Sequence, residues 1–154
     1  MTSVEASSSW ALAGGAQPPR LPEGIDLPRD RMLVMGILNV TPDSFSDGGR
    51  FLDPGAALDH AQEMIDEGAD LVDLGGESTR PNSTRISEDE EWERIGSIIQ
   101  RLAASGVVVS VDTLHALTAR RAADAGAAII NDVSGGRWDP QMNAAVASTS
   151  CAYV

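Results

Sequence analysis

Polar side chains accompany each apolar run of this sequence, and their types could bind a small polar molecule. They are, in chain order, Asn39, Asp73 with Glu77, Asp112, and Asn131 with Asp132. A single Asp or Asn at such a place is commonly a turn residue or a helix cap. Four runs that all carry one favour a shared site. Carboxylates and carboxamides can hold a polar heterocycle by paired hydrogen bonds, or a hard cation through oxygen atoms.

The stretch that follows the first run is a second candidate, because it is long and polar. Met35 to Gly49 reads MGILNVTPDSFSDGG, in which an apolar run gives way to hydroxyls, carboxylates and glycines. Connections between a strand and the next helix usually take about two to six residues. The excess length predicts a loop with a function of its own.

Short apolar runs and amphipathic helical patterns alternate along the chain after residue 30. The runs predicted as buried strands are Leu33–Leu38, Leu71–Gly76, Val107–Asp112, Ala128–Asp132 and the beginning of a fifth at Cys151. The predicted helix starts are Asp53 with Pro54, the Ser87-x-x-Glu90 capping box, Thr113, and Asp139 with Pro140. The predicted helix ends are Gly68, Gly106 and Gly126.

Strict alternation of strand and helix predicts an α/β fold with parallel strands, either a doubly wound sheet or a (β/α)8 TIM barrel. A dinucleotide-binding sheet should have G-x-G-x-x-G after its first strand, where this chain has Asn-Val-Thr-Pro-Asp, so the barrel is favoured. A whole barrel takes about 250 residues. We therefore expect residues 1–30 to be a disordered tail and residues 31–154 to be the first four strand-helix units plus the start of the fifth strand.

The composition excludes several classes of function. A net charge of −12 and a pI near 4.3 argue against binding to nucleic acid or to an anionic membrane. All 11 basic residues are arginine, so this chain alone cannot carry a Schiff-base or P-loop lysine. The single cysteine, Cys151, suits a reducing compartment, and the first thirty residues lack the features of a secretory signal. We expect a cytoplasmic protein.

Two long segments resemble the signatures of dihydropteroate synthase. They are MGILNVTPDSFSDGG and GADLVDLGGESTRP, and VSVDT and IINDVSGG follow in the order of that family. The resemblance implies a TIM barrel in folate biosynthesis. It also implies a transferase that condenses 4-aminobenzoate with 6-hydroxymethyl-7,8-dihydropterin pyrophosphate, with Mg²⁺ as cofactor and pyrophosphate as the second product.

The resemblance also implies roles for individual residues. Asn39 would bind the Mg²⁺ held by the pyrophosphate, and Phe45 and Asp47 would shelter the reacting carbon and the incoming amine. Gly48 and Gly49 would let their loop hinge.

In the second signature, Thr79 and Arg80 would approach the aminobenzoate and the departing phosphates, for which a guanidinium is suited by its bidentate hydrogen bonds. Asp112 and Asn131 would bind the hydrogen-bonding edge of the pterin. Of these residues, Phe45, Asp47 and Arg80 are the predicted catalytic ones.

Later segments of the family, an Asp-Pro-Gly, a Ser-Arg-Lys and an Arg-x-His stretch, have no counterpart in the sequence. We expect the isolated chain to be inactive, and to form a homo-oligomer or pair with a chain that completes the barrel. Its uncovered apolar side chains would be among Val34, Ile37, Val72, Val109 and Ile129. Two other functions stay open: a pterin-binding methyltransferase domain, and a non-catalytic pterin-binding fragment.

Three other residues are expected to have structural roles. His60 and His115 lie at predicted helices, where surface or capping roles are favoured. Trp92 continues an apolar stripe and is expected in the core.

Overall fold

The computed structural model describes residues 25, 27, 28, 30–41, 54–78 and 85–154. Its elements are, in chain order, β1 (Met35–Asn39), α1 (Pro54–Asp66), β2 (Leu71–Gly75), α2 (Glu88–Ala104), β3 (Val109–Asp112), α3 (Ala116–Asp124), β4 (Ile129–Asn131), α4 (Met142–Ala147) and β5 (Ala152–Tyr153). The strands form one parallel sheet in sequence order, from β1 at one edge to β5 at the other. A doubly wound sheet would reverse its strand order, so the order is that of a barrel, as predicted.

One face of the sheet packs against the helices and forms the core. Its strand side chains are almost completely buried: Leu38, Val40, Val72, Leu74, Val109, Val111 and Ile130. The helix α2 contributes Ile95, Ile98, Ile99 and Leu102 at the predicted helical spacing. Each such side chain stabilises the fold by about 1.5 to 3 kcal/mol. Trp92 is only partly buried and packs against the margin of this core.

The opposite face carries the exposed side chains of β1. Ile37 is 52% exposed there, and Val34, which precedes β1, is 55% exposed, as expected for uncovered residues. The same expectation was wrong for Val72 and Val109, which are both 0% exposed because they face the helices. An unbroken apolar run does not alternate, so it cannot indicate which of its residues face which side.

The predicted helix ends are confirmed. Gly68, Gly106 and Gly126 follow α1, α2 and α3 with φ of 108°, 87° and 103°, a region that side chains other than glycine rarely adopt. At the start of α2, Ser87 Oγ accepts a hydrogen bond from Glu90 N–H at 3.1 Å. The reciprocal half of the capping box is replaced by an ion pair of 2.6 Å between Glu90 and Arg94.

The predicted start of α3 was wrong. The helix begins at Ala116. The Ala116 N–H donates a hydrogen bond to Asp139 Oδ2 at 2.9 Å rather than to Thr113. Asp139 also accepts from Gln141 N–H through Oδ1, at 2.8 Å, just before α4. One carboxylate therefore serves the starts of two neighbouring helices, a contact that sequence spacing does not reveal.

Most of residues 1–30 lie outside the described residues, so the proposed tail and its boundary stay predictions. His60 is exposed on α1, 3.3 Å from Glu63 Oε2, in agreement with a surface role. Within the described ranges, no helix combines the length and apolar character that a membrane span requires.

Candidate functional site

Four residues on neighbouring strands form one row at the carboxyl end of the sheet. Asn39 pairs in register with Gly75, Gly75 with Asp112, and Asp112 with Asn131. Residues in register on parallel strands point to the same face, here the face away from the helices. The row therefore brings together three predicted site residues that are far apart in sequence.

Gly75 leaves space in the middle of this row. A Cβ atom at this position would lie 3.3 Å from Asn39 Oδ1 and 3.9 Å from Asp112 Oδ2. A larger side chain would therefore fill the gap between the carboxamide and the carboxylate. Gly75 was not predicted as a site residue, although it lies two residues after Asp73 in β2 and therefore on the same face of the strand.

The Asp112 carboxylate has unused hydrogen-bonding capacity. Its Oδ1 is buried and has no partner among the residues that the structure describes. Burial, together with the negative charges of Asp73, Glu91 and other nearby carboxylates, raises the pKa of Asp112 to about 6. The group can thus be ionised at neutral pH and accept hydrogen bonds from a ligand with N–H donors.

Asp73 supports the row from one layer deeper in the sheet. Its Oδ1 accepts from Ser110 Oγ at 2.6 Å, and its Oδ2 accepts from Asn131 Nδ2 at 3.1 Å. Both carboxylate oxygens are used within the protein, so Asp73 fixes the direction of the Asn131 carboxamide. Asp73 lies within β2 rather than at its end, and its contacts give it a positioning role.

Asp132 stabilises the loop that follows β4 through hydrogen bonds. Its carboxylate accepts hydrogen bonds from Ser134 N–H, Gly136 N–H and the Tyr153 hydroxyl, each at 2.7 to 2.8 Å. Burial alone would raise its pKa, but the hydrogen bonds of these partners hold the pKa of Asp132 below its ordinary value. This carboxylate is occupied in shaping the loop and is not open to a ligand.

Glu77 links three loops at the same end of the sheet. Its Oε1 accepts from Arg85 at 2.6 Å, and its Oε2 lies 3.3 Å from His115 Nε2. The Arg85 guanidinium stacks 4.6 Å above the Trp138 ring. His115 occupies the N-cap position of α3, but its side chain makes no capping bond and pairs with Glu77 instead. This pairing spans distant parts of the sequence, and no local pattern indicates it.

Asn39 is the candidate ligand for a cation. A hard cation such as Mg²⁺ prefers oxygen donors and usually keeps several waters beside one or two protein ligands and substrate phosphates. Asn39 Oδ1 borders the gap at Gly75, which fits such a ligand set. Among the described residues, no three His, Cys, Asp or Glu side chains form a cluster that could hold a metal without such help.

The remaining predicted site residues lie outside the described residues. They are Phe45 and Asp47 in the first loop, and Thr79 and Arg80 in the second. Their roles stay predictions.

Comparisons with known proteins identify the family of the chain. Residues 35–154 match the family described as pterin binding enzyme. The dihydropteroate synthase of Bacillus subtilis is 55% identical over 115 residues, which are 74% of this chain and 40% of that protein. That of Mycobacterium leprae is 53% identical over 121 residues, 79% of this chain and 43% of that protein. The chain thus spans less than half the length of these curated relatives.

The fold has a counterpart among solved structures. A dihydropteroate synthase of Xanthomonas albilineans, solved with 4-aminobenzoic acid, matches with a TM-score of 0.75 and 47% identity. The match covers 80% of this chain and 45% of that chain. The predicted fold class, a part of the (β/α)8 barrel, is confirmed.

Proposed function

The chain belongs to the pterin-binding enzyme family, and on that premise we propose that it is part of a dihydropteroate synthase. The enzyme would join 4-aminobenzoate to 6-hydroxymethyl-7,8-dihydropterin pyrophosphate and release pyrophosphate. The observation that carries the proposal is the row of Asn39, Gly75, Asp112 and Asn131, with an unpartnered carboxylate oxygen on Asp112.

Asp112 and Asn131 would bind the pterin. The amino group and ring N–H of a pterin are donors that an ionised carboxylate can accept together, and Asp112 Oδ1 is a free acceptor in the described structure. Asn131 Nδ2 donates its hydrogen bond to Asp73, so the side-chain Oδ1 of Asn131 is turned away from that bond. Oδ1 can then accept a hydrogen bond from a ligand. Burial strengthens such contacts, since water competes less for the same groups.

Asn39 would bind the metal beside the pyrophosphate of the substrate. When bound, Mg²⁺ neutralises part of the charge that develops on the leaving pyrophosphate. The Asn39 carboxamide would hold the pyrophosphate end of the substrate in the same row as Asp112, since Gly75 lies between Asn39 and Asp112. Arg80 is the predicted residue for the remaining phosphate charge, through bidentate hydrogen bonds.

The proposed reaction is a substitution at the methylene carbon of the pterin. The C–O bond to pyrophosphate breaks, its electron pair leaves with the pyrophosphate, and the amine nitrogen forms the new C–N bond and loses a proton. Phe45 and Asp47 are the residues predicted around these reacting atoms. The protein positions the substrates and stabilises charge, and none of its groups forms a covalent intermediate.

Two alternatives receive less support. A methyltransferase domain is disfavoured because the relatives and the solved structure described above carry the synthase name. A non-catalytic fragment is distinguished by the activity test that follows. A cytoplasmic location and a homo-oligomer, or pairing with a second chain, remain predictions.

The test is a pyrophosphate-release assay on the protein that contains this chain. We expect turnover that requires both substrates and Mg²⁺, and a loss of about 100-fold in kcat/KM for Asp112→Ala, because a charged hydrogen-bonding group is removed. Asp59→Ala, on the exposed face of α1, is the control and should match the wild type. Absence of turnover in the wild type, or unchanged kinetics in Asp112→Ala, would refute the proposal.

A further inference from the structure

Glu91 is a buried acid that the proposed reaction does not use. It lies in the first part of α2 and is 1% exposed, in the core between the helices and the sheet. Its Oε2 accepts a hydrogen bond from Thr113 Oγ1 at 2.8 Å. A carboxyl group in such a place is costly to bury, so its retention calls for a specific contact that offsets the cost.

Thr113 makes that contact, and it connects Asp112 and Asn131, the two candidate pterin-binding residues. It directly follows Asp112 in the chain, and its N–H donates to the Asn131 carbonyl at 3.0 Å. Its hydroxyl donates to Glu91 and accepts from His115 N–H at 3.1 Å. The hydroxyl and the amide of one residue thus join the end of β3, the end of β4 and the helix α2.

The position of Glu91 is fixed by close packing against Gly76, the residue that follows β2. A Cβ atom at Gly76 would lie 2.9 Å from Ile95 Cγ2 and 3.1 Å from Glu91 Cγ, so only glycine lets the helix approach this far. Arg94 donates from the same helix to the Gly76 carbonyl at 2.8 Å. The Glu91 carboxyl therefore reaches the end of β3 from a rigid support.

We propose that Glu91 is a positioning residue for the pterin site, which acts through Thr113 to hold Asp112 and Asn131 in the register that binds one ligand. The inference rests on the proposed function for the identity of that ligand. The contact between Glu91 and Thr113 does not depend on it.

The surroundings of Glu91 indicate which substitution should preserve its role. Burial raises the pKa of Glu91, while the hydrogen bond from Thr113 opposes the rise. In the described part of the chain, Glu91 Oε1 and Thr118 Oγ1 are both buried and neither has a hydrogen-bond partner. A neutral side chain of the same shape can keep the bond from Thr113, so glutamine should replace glutamate without loss of the role.

The first test measures amide hydrogen exchange at Thr113, whose N–H is bonded to Asn131. Glu91→Met removes the acceptor at similar length, and we expect exchange at Thr113 to accelerate about tenfold or more, whereas Glu91→Gln should stay within about twofold of the wild type. Thr113→Val and Thr113→Ser repeat the comparison from the other partner, read at the amide of residue 113, in case Glu91→Met does not fold. Unchanged exchange in both Glu91→Met and Thr113→Val would overturn the inference.

The second test measures the affinity for 6-hydroxymethyl-7,8-dihydropterin pyrophosphate with Mg²⁺ in the protein that contains this chain. Glu91→Met should weaken it about tenfold with little change in the KM for 4-aminobenzoate, and Glu91→Gln should restore it. The double variant Glu91→Met with Thr113→Val should be no weaker than the worse single variant, because both act on one contact.

Equal losses in Glu91→Gln and Glu91→Met, or additive losses in the double variant, would contradict the positioning role. If the wild type itself fails to bind the pterin, the proposed function is wrong. The exchange test then still decides whether Glu91 holds the ends of β3 and β4 together.

Discussion

The Asn131 carboxamide donates a hydrogen bond of 3.1 Å to Asp73 Oδ2, and Ser110 Oγ donates to the other oxygen of the same carboxylate at 2.6 Å. Asp73 thus fixes a residue of the candidate site, and both of its carboxylate oxygens are engaged within the protein. The contact crosses from β2 to β4 and ties together the strands that carry the row.

Asp73→Ala should therefore lower both stability and ligand affinity. The substitution leaves the Ser110 hydroxyl and the Asn131 amide without their acceptor, and we expect a loss of about 1 to 3 kcal/mol in the free energy of unfolding in urea. The affinity for the pterin substrate should fall because Asn131 can rotate. Asp73→Asn, which keeps an acceptor for Ser110, should lose less of the stability, and equal losses in both variants would argue against this role.

The space at Gly75 yields a second prediction. Gly75→Ala places a methyl group 3.3 Å from Asn39 Oδ1, and should weaken Mg²⁺-dependent pyrophosphate binding about tenfold, measured by calorimetry. Gly36→Ala is the matched control, because its methyl group would meet Met64 Sδ at 2.6 Å on the helix side of the sheet. That variant should lose stability and keep its affinity. The reverse pattern would contradict the assignment of the two faces.

The raised pKa of Asp112 predicts how stability depends on pH. The group has a pKa of about 6 when folded against 3.8 when unfolded, so the folded state holds the proton more tightly. Its contribution to stability is complete below pH 4 and is lost as the pH rises through 6. Asp112→Asn should raise the free energy of unfolding at pH 7 by on the order of 1 kcal/mol, which allows for screening by solvent.

The measurement is urea unfolding of the wild type and Asp112→Asn from pH 4 to pH 8. The difference in the free energy of unfolding between the two proteins should grow as the pH rises through 6 and stay constant above pH 7. Pterin affinity should move the opposite way with pH, since binding needs the ionised carboxylate. A difference that does not change with pH would mean that Asp112 titrates at its ordinary pKa.

Asp139 gives a prediction that concerns the fold alone. Asp139→Ala removes the acceptor for Ala116 N–H at the start of α3 and for Gln141 N–H before α4. We expect a loss of about 0.5 to 2 kcal/mol in thermal or urea unfolding, the usual effect of removing a helix cap. Asp59→Ala, exposed on α1, should leave the stability unchanged. A loss no larger than that of this control would show that water replaces the cap without cost.

The order of elements and the polar strand ends could be predicted because they depend on local patterns. Asn39, Asp112 and Asn131 each follow an apolar run, and the parallel arrangement then requires them to meet at one end of the sheet. Gly68, Gly106 and Gly126 ended helices as expected, since each adopts a backbone conformation that favours glycine. Prediction was accurate where one residue type satisfies one local requirement.

Contacts between distant segments could not be predicted in this way. The pairing of Glu77 with His115, and of Asp139 with the start of α3, depends on how neighbouring strand-helix units pack. The face of the sheet on which Val72 lies could not be predicted either, because β2 is apolar along most of its length and shows no alternation. Asp73 illustrates the same limit, since its support of Asn131 is a hydrogen bond between β2 and β4 that only the structure reveals.

The central claim is that Asp112, in the row with Asn39 and Asn131, binds the pterin. The most direct measurement is calorimetric titration of 6-hydroxymethyl-7,8-dihydropterin pyrophosphate, with Mg²⁺, into the wild type and Asp112→Ala at pH 8. We expect saturable binding to the wild type and an affinity about 100-fold lower in the variant, with cooperative unfolding retained. Equal affinities in two folded proteins would contradict the claim.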